Sequence, residues 1–156
     1  MGARDNDADE PDLDLRPPRT PDEWNRYFEL RWRVLRAPWS QPLGSERDDL
    51  EAAAFHAAIW DHDGFPVAVG RLHLNSPTEA QVRYMAVAPT AGRQGLGRRI
   101  LAALEAEARR RAVITVVLNA RETARAFYER HGYLPSGDAP TLFGDVAHVR
   151  MSKRMS

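Results

Sequence analysis

The chain has 156 residues, of which 43% are hydrophobic and 28% charged, a composition typical of one soluble globular domain. Lysine plus arginine equals aspartate plus glutamate at 22 each, and this zero net charge argues against nucleic acid as the main partner. There are no cysteines, no apolar run of membrane-spanning length and no apolar secretory signal, so we expect a cytoplasmic protein without disulfides, membrane partner or acyl-cysteine intermediate.

The N-terminal segment changes character near residue 17. Residues 1–16 are rich in aspartate and poor in large apolar side chains, so we expect a flexible acidic tail before a single domain over residues 17–156. A helix is predicted to begin after Thr20, because proline at the next position suits the first helical turn. Glu23 can complete a capping box with Thr20.

A loop and an antiparallel meander follow the first helix. Residues 38–51 indicate a loop, whose acidic side chains either attract a cationic amine or form a solvated face; these are Asp48, Asp49 and Glu51. Apolar runs separated by turn residues then predict three strands, at 54–60, 65–74 and 80–88.

The C-terminal half alternates helices and strands. A Gly-rich loop at 92–97 leads into a long amphipathic helix that ends near Arg111. The next residues, 112–118, are continuously apolar, as expected of a strand covered on both faces. A helix over 122–131 ends at a glycine, and the last predicted strand covers 146–154.

The Gly-rich loop is the strongest local signal for ligand binding. Glycines let the backbone approach a ligand, and the N-terminus of the following helix favours an anion such as a pyrophosphate. A P-loop is not favoured, because Gly97 is followed by two arginines rather than Lys-Ser/Thr. A dinucleotide fingerprint lacks its third small residue and its early βαβ unit. An ordinary Gly-containing turn before a helix is the remaining alternative.

Two sequence blocks favour a specific ligand for this loop. Residues 83–104 (RYMAVAPTAGRQGLGRRILAAL) resemble the coenzyme A-binding motif of the GNAT N-acetyltransferases, with Gly95 and Gly97 at its glycines. The first motif position, Gln or Arg in that family, falls on Gly92 and is a departure. Residues 116–133 resemble the next family motif, through a set of matching positions: Asn119, Phe127, Tyr128, Gly132 and Tyr133.

The resemblance covers about residues 20–154, and the segment 140–151 is further similar to small bacterial proteins of the ElaA type. It implies a mixed α/β GNAT fold, with a mostly antiparallel mixed sheet of about six to seven strands flanked by helices. It also implies a splayed strand pair, here near 80–88 and 112–119, in which acetyl-coenzyme A binds as co-substrate. The cofactor-binding residues so implied are Met85, Ala86, Val87, Gly92, Arg93, Gln94, Gly95, Leu96, Gly97, Arg98, Asn119 and Phe127.

The same resemblance assigns Tyr128 as the acid that protonates the departing thiolate, although a packed helix aromatic is the alternative. A general base must take a proton from the amine, and histidine suits this at neutral pH. We rank His148 first; the other candidates are His56, His73, Glu46 and Glu79, and each can equally be a structural residue. The five histidines are scattered, so no metal is expected.

The resulting hypothesis is an N-acetyltransferase that moves the acetyl group of acetyl-coenzyme A directly to a primary amine, on a small molecule or a protein. The alternative is a catalytically weak coenzyme A-binding sensor module. The residues do not identify the acceptor, and because GNAT proteins are often dimers, a homodimer stays open.

Overall fold

The computed structural model describes residues 13–91 and 95–156, which form one seven-stranded sheet flanked by helices. The strands follow the spatial order β1-β2-β3-β4-β5-β7-β6. Strands β4 and β5 pair in parallel, whereas β1 with β2, β5 with β7 and β6 with β7 are antiparallel. The mixed, mostly antiparallel sheet confirms the predicted fold class.

The described residues contain seven strands and three helices. The strands are β1 (Asp14–Leu15), β2 (Phe55–Trp60), β3 (Pro66–Leu74), β4 (Glu79–Val87), β5 (Thr115–Arg121), β6 (Leu134–Asp138) and β7 (His148–Arg154). The helices are α1 (Pro21–Leu35), α2 (Leu96–Arg110) and α3 (Arg125–Arg130). Single 3-10 turns lie at Ala37–Trp39, Glu51–Ala53, Pro89–Ala91 and Glu122–Ala124.

The start of α1 shows why this sequence forms a helix here. The Thr20 hydroxyl accepts the Glu23 backbone N–H at 3.1 Å, and Pro21 occupies the first helical position. The Glu23 carboxylate accepts hydrogen bonds from the Arg19 backbone N–H, at 2.8 Å, and from both terminal nitrogens of Arg16. Because these donors favour the ionised carboxylate, the pKa of Glu23 falls to about 2.

The described residues fall into two compact units, of which the first comprises 13–71, 84–91 and 95–104. Within it, α2 packs closely on the sheet at Gly70. A Cβ at Gly70 would lie 2.5 Å from Ile100 Cγ2 and 3.0 Å from Met85 Sδ, so the close approach of α2 requires glycine.

The second unit comprises residues 72–83 and 105–156. Its helix–sheet contact is centred on the buried carboxylate of Glu105, which accepts the Tyr133 hydroxyl at 2.8 Å and the Lys153 ammonium at 3.1 Å. Gly132, at φ +93°, ends the turn after α3 as predicted and brings Tyr133 to this contact.

The parallel ladder of the second unit is short. It runs from Glu79–Thr115 to Val82–Leu118, although β4 continues to Val87 and β5 to Arg121. Two residues after Leu118, β5 is still fully paired with β7. The ladder therefore ends because β4, rather than β5, leaves the pairing. Its last pair is two residues before Tyr84, whose backbone has φ +59°. Left-handed backbone in a bulky residue within a strand marks a bulge.

Two strands were not predicted, and the tail boundary differs. Asp14 and Leu15 pair with Trp60 and Ile59, so the sheet takes in the last residues assigned to the tail, whereas residues 1–12 lie outside the described chain. Strand β6 has no apolar alternation, since all five of its residues are exposed. This segment is a strand only because it pairs with β7, which was predicted.

Candidate functional site

The C-terminal end of β4 carries the first group of predicted cofactor residues. Ala86 is buried, while Met85 and Val87 are half-buried. None of the three belongs to the β4–β5 ladder, which ends at Val82. The Ala88 N–H donates to the Val67 carbonyl at 2.8 Å, so this end of β4 is hydrogen-bonded to β3.

The loop after β4 leads to the N-terminus of α2. The predicted residues Gly92, Arg93 and Gln94 lie outside the described part of the chain. Gly95 has φ +70° and is exposed, and its carbonyl accepts the Arg99 N–H at 3.1 Å, which closes the first helical turn.

The first residues of α2 supply the anion-binding geometry. Leu96 is 3% exposed and anchors the helix, whereas Gly97 is half-buried and Arg98 is exposed. The N–H groups of the first helical turn have no partner within the helix and carry its positive dipole end. This end of α2 can therefore bind a phosphate, with the Arg98 guanidinium beside it.

Tyr128 lies in α3 and is 7% exposed. Its ring packs edge-on against Phe127 and Tyr133, with centroids 5.1 and 5.8 Å away. Burial raises the pKa of the phenol, an effect that the Arg121 charge partly offsets, so the phenol is protonated at neutral pH. Its hydroxyl has no hydrogen-bonding partner among the residues that the structure describes, and so remains able to donate to a ligand.

His148 is the first residue of β7 and is half-buried. Its Nδ1 lies 2.8 Å from the Val146 carbonyl oxygen. A carbonyl only accepts, so Nδ1 carries the proton and Nε2 keeps the lone pair. That tautomer suits a base, whose accepting nitrogen must face the substrate.

The remaining predicted residues of β5 and α3 occupy different environments. Asn119 is exposed and pairs with Arg150 of β7. Phe127 is half-buried, and its ring lies 4.6 Å from that of His131. The structure thus places Asn119 at an open position of the sheet and Phe127 on the helix that carries Tyr128.

The other base candidates have structural partners. Both ring nitrogens of His56 are engaged, by the Tyr27 hydroxyl and the Glu51 carbonyl, each at 2.8 Å. Burial lowers the His56 pKa, so this histidine is neutral in the folded protein. Glu46 is 3% exposed and accepts the Gly44 N–H at 2.8 Å. Glu79 accepts the Asn75 amide, and His73 is 8% exposed in β3.

Sequence reasoning missed a buried charge cluster in the first unit. Arg31 and Arg71, both fully buried, share one Glu51 oxygen at 2.9 and 2.8 Å, and Arg71 also binds both oxygens of Asp48. The acidic residues Asp48 and Glu51 are therefore neither a solvated face nor free to attract an amine. The paired arginines and Glu51 are 20 positions apart in the chain, so no local sequence pattern indicates that they meet.

The cluster surrounds the bulge residue of β4. The guanidinium carbons of Arg31, Arg71 and Arg36 lie 4.3, 4.9 and 5.5 Å from the centre of the Tyr84 ring. Stacking of this kind stabilises a guanidinium on an aromatic face by about 0.5–2 kcal/mol. These contacts offset the cost of the left-handed backbone at Tyr84, which is about 1–3 kcal/mol.

A family model described as acetyltransferase (GNAT) family matches residues 24–133, which include β4, the loop, α2, β5 and α3. The chain belongs to the GNAT acetyltransferase family. It is 28% identical over 126 residues to the uncharacterized N-acetyltransferase YjcF of Bacillus subtilis (strain 168), covering 81% of this chain and 89% of that protein. This membership does not favour the alternative of a catalytically weak sensor module.

Solved GNAT structures share the fold. An acyl-CoA N-acyltransferase from Pseudomonas aeruginosa is 25% identical with a TM-score of 0.77, over 90% of this chain and 99% of that one. Escherichia coli ElaA is 18% identical with a TM-score of 0.76, over the same shares, and this likeness shows the fold alone. Among the described residues of this GNAT protein, every helix is too short or too polar to span a bilayer. No three potential metal-ligating side chains cluster there either.

Proposed function

We propose that the protein transfers the acetyl group of acetyl-coenzyme A directly to a primary amine. The observation that carries the proposal is the end of the β4–β5 ladder at Val82, two residues before the bulge at Tyr84. Beyond it, the backbone of Met85, Ala86 and Val87 can pair with the amide groups of the pantetheine arm, as an added strand would.

The helix N-terminus fits the other end of the same ligand. The N–H groups at the start of α2, together with Gly92–Gly97 and the Arg93 and Arg98 side chains, would hold the pyrophosphate. Gly95 at φ +70° lets the chain turn into the helix. Asn119 and Phe127 would contact the cofactor from β5 and α3.

The reaction needs one bond formed and one broken. The amine nitrogen attacks the thioester carbonyl carbon, the tetrahedral intermediate collapses, and the carbon–sulfur bond breaks to give an amide and coenzyme A. His148 takes the proton that the amine loses, through Nε2, which the Val146 carbonyl leaves unprotonated.

Tyr128 is proposed to donate a hydrogen bond to the departing sulfur. Burial raises the pKa of its phenol, whereas a thiol has a pKa of about 8.5, so complete proton transfer to a free thiolate runs uphill. The phenol therefore stabilises the charge that develops on sulfur, and the proton released by the amine completes the thiol.

Donor binding and turnover test the proposal together. Acetyl-coenzyme A should raise the melting temperature, because a ligand selective for the folded state stabilises it by about 2.7 kcal/mol at 100 times its dissociation constant. A panel of amines should then release free thiol above the rate of hydrolysis. No thermal shift at millimolar donor would contradict the proposal, whereas binding without thiol release would return the protein to a binding role.

A further inference from the structure

The β4–β5–β7 sheet of the second unit has two faces of different character. Register places Lys153 opposite Val116, and Lys153 donates to Glu105, so this face lies against α2. Along β5 the α2 face is closed, since Val116, Leu118 and Ala120 are each at most 2% exposed.

The opposite face carries alternate residues of the same strands, and we call it the open face. It comprises Glu79, Gln81 and Arg83 of β4, Thr115, Val117, Asn119 and Arg121 of β5, and His148, Arg150, Ser152 and Arg154 of β7. Val117 is 3% exposed, but Asn119 two residues later is exposed, and Arg121, His148 and Arg150 are half-buried. The face therefore opens toward the end of β5 that carries Asn119 and Arg121.

Register sets the neighbours of the proposed base. Arg121 lies directly opposite His148, and Arg150 lies directly opposite Asn119. Facing side chains in an antiparallel pair begin about 5 Å apart, and residues two apart on one strand about 7 Å. Two guanidiniums, from Arg121 and Arg150, thus lie within reach of any amine that contacts His148.

The open face is positively charged. It carries four arginines, of which Arg83 and Arg154 are exposed, against one carboxylate on these strands, Glu79. Glu79 is 3.9 Å from Arg150 and also accepts the Asn75 amide at 2.9 Å, so it offsets the arginine charge only in part. Glu122, just beyond β5, faces its own partner Arg125 at 3.9 Å.

We infer that the acceptor of this enzyme carries an anionic group, a carboxylate or a phosphate, a few bonds from its reactive amine. The inference rests on the proposed function, because it takes His148 as the base. Arginine binds carboxylates and phosphates through paired N–H donors, which fixes the acceptor and orients its amine. A polyamine or another polycation meets like charge on the same face and is disfavoured.

The arginines also assist the chemistry itself. Nearby positive charge disfavours an ammonium group, so it lowers the pKa of the bound amine and increases its neutral, nucleophilic fraction. An arginine that binds the acceptor's anion is largely neutralised by it, so this effect on the amine comes from the other arginine of the two. The same two side chains thus select the acceptor and help its amine to react.

Acceptors matched in length test the charge requirement. Thiol release from acetyl-coenzyme A is measured with 5-aminopentanoate, 5-aminopentanamide and 1,5-diaminopentane, and with 2-aminoethyl phosphate beside ethanolamine. A charge-assisted hydrogen bond corresponds to at least about a tenfold preference. We expect kcat/KM to be about tenfold higher for the carboxylate than for the amide, with the diamine slowest. The phosphate pair shows which anion is preferred.

Arginine variants connect the preference to the open face. Arg150→Gln should reduce the ratio of carboxylate to amide kcat/KM about tenfold, mainly through KM, and Arg150→Lys should restore part of it. Arg130→Gln, an exposed position on α3, removes the same charge elsewhere and should leave the ratio unchanged.

Each outcome separates this inference from the proposed function. Faster turnover of the diamine or the amide would overturn the inference while leaving the acetyltransferase proposal intact. An Arg150→Gln variant that slows all acceptors equally would also overturn it, because it would show a structural role. Failure to bind acetyl-coenzyme A, measured by calorimetry, would instead remove the proposed function and the inference with it.

Discussion

Tyr128 and His56 differ in what their polar atoms contact. The Tyr128 hydroxyl meets no partner in the part of the chain described, whereas both nitrogens of His56 are held by its neighbours. Because it has no such partner and is not sealed from solvent, the Tyr128 hydroxyl can donate a hydrogen bond to a ligand. A buried group with all its bonds made serves the fold.

Tyr128→Phe should therefore affect turnover and spare stability. The ring and its packing on Phe127 and Tyr133 remain, and no hydrogen bond to a described residue is lost. A preorganised hydrogen-bond donor to developing charge contributes about 10²–10³-fold, and a thiolate leaving group needs the least help, so we expect a fall in kcat of about 100-fold or less. Rapid-quench kinetics with the true acceptor measure it. An unchanged chemical step would return Tyr128 to a packing role.

His56 predicts a pH dependence of stability. Its pKa is lowered in the folded state, so between that value and the unfolded value of about 6.5 the unfolded chain binds more protons. The free energy of unfolding should fall as pH drops below about 6.5, by at most about 1.4 kcal/mol per pH unit. His56→Gln should make this dependence shallower in urea titrations, whereas His62→Gln, on an exposed turn, should keep the wild-type slope.

At the scale of elements, the buried cluster joins α1, the 48–54 segment, β3 and the bulge of β4. Arg31 comes from α1, Arg71 from β3, and both bind Glu51 in a 3-10 turn. These arginines also stack on Tyr84, so the same charges tie the loop down and hold the bulge. Forming the cluster removes four charged groups from water, and this desolvation offsets much of the attraction between them. Removing one partner therefore costs more stability than the intact cluster contributes.

Glu51→Gln should be strongly destabilising. It removes the carboxylate that Arg31 and Arg71 share and leaves Asp48 as the remaining carboxylate that binds Arg71. Breaking a buried ion pair costs about 3–5 kcal/mol, and the amide oxygen of Gln can keep part of the bonding, so we expect about 3 kcal/mol in urea unfolding. Glu29→Gln removes the exposed pair with Arg33 and should cost less than about 0.5 kcal/mol.

The loop before α2 allows charge and shape to be separated. Gly95→Asp and Gly95→Asn add side chains of nearly equal size at φ +70°, a conformation that both tolerate. Only Asp brings a negative charge, and it would lie close to the Arg98 guanidinium, 3.4 Å from a Cβ at this position. Cofactor affinity by calorimetry should fall about tenfold further for Asp than for Asn at low salt. Equal losses would show that the loop does not hold the pyrophosphate.

At the scale of the whole molecule, the absence of cysteine predicts direct transfer. Intact-protein mass spectrometry after incubation with acetyl-coenzyme A alone should show no stoichiometric acetylated species that an amine then discharges. A kinetically competent acyl-enzyme on Ser, Lys or Tyr would overturn the direct mechanism. Slow acetylation of surface lysines that added amine does not reverse would leave it standing.

Local patterns predicted the elements that local forces determine. The runs at 54–60, 65–74 and 80–88 became β2, β3 and β4 within two residues at each end, because apolar runs bounded by turns define strands. Strand β1, with two residues, and β6, fully exposed, have no such pattern and exist only through their partners. Likewise, the Gly-rich loop and Tyr128 were visible in the sequence, but the bulge at Tyr84 and its arginines depend on tertiary pairing.

The position of β7 has a consequence for how this protein is made. In the chain, β7 follows β5 and β6, yet in the sheet it lies between them and pairs with both. While a ribosome is still synthesising the chain, β5 and β6 therefore have no strand to join them, and one side of β5 stays unpaired. The second unit can close only after β7 has left the exit tunnel, and until then the edge of β5 must be kept from pairing with other nascent chains.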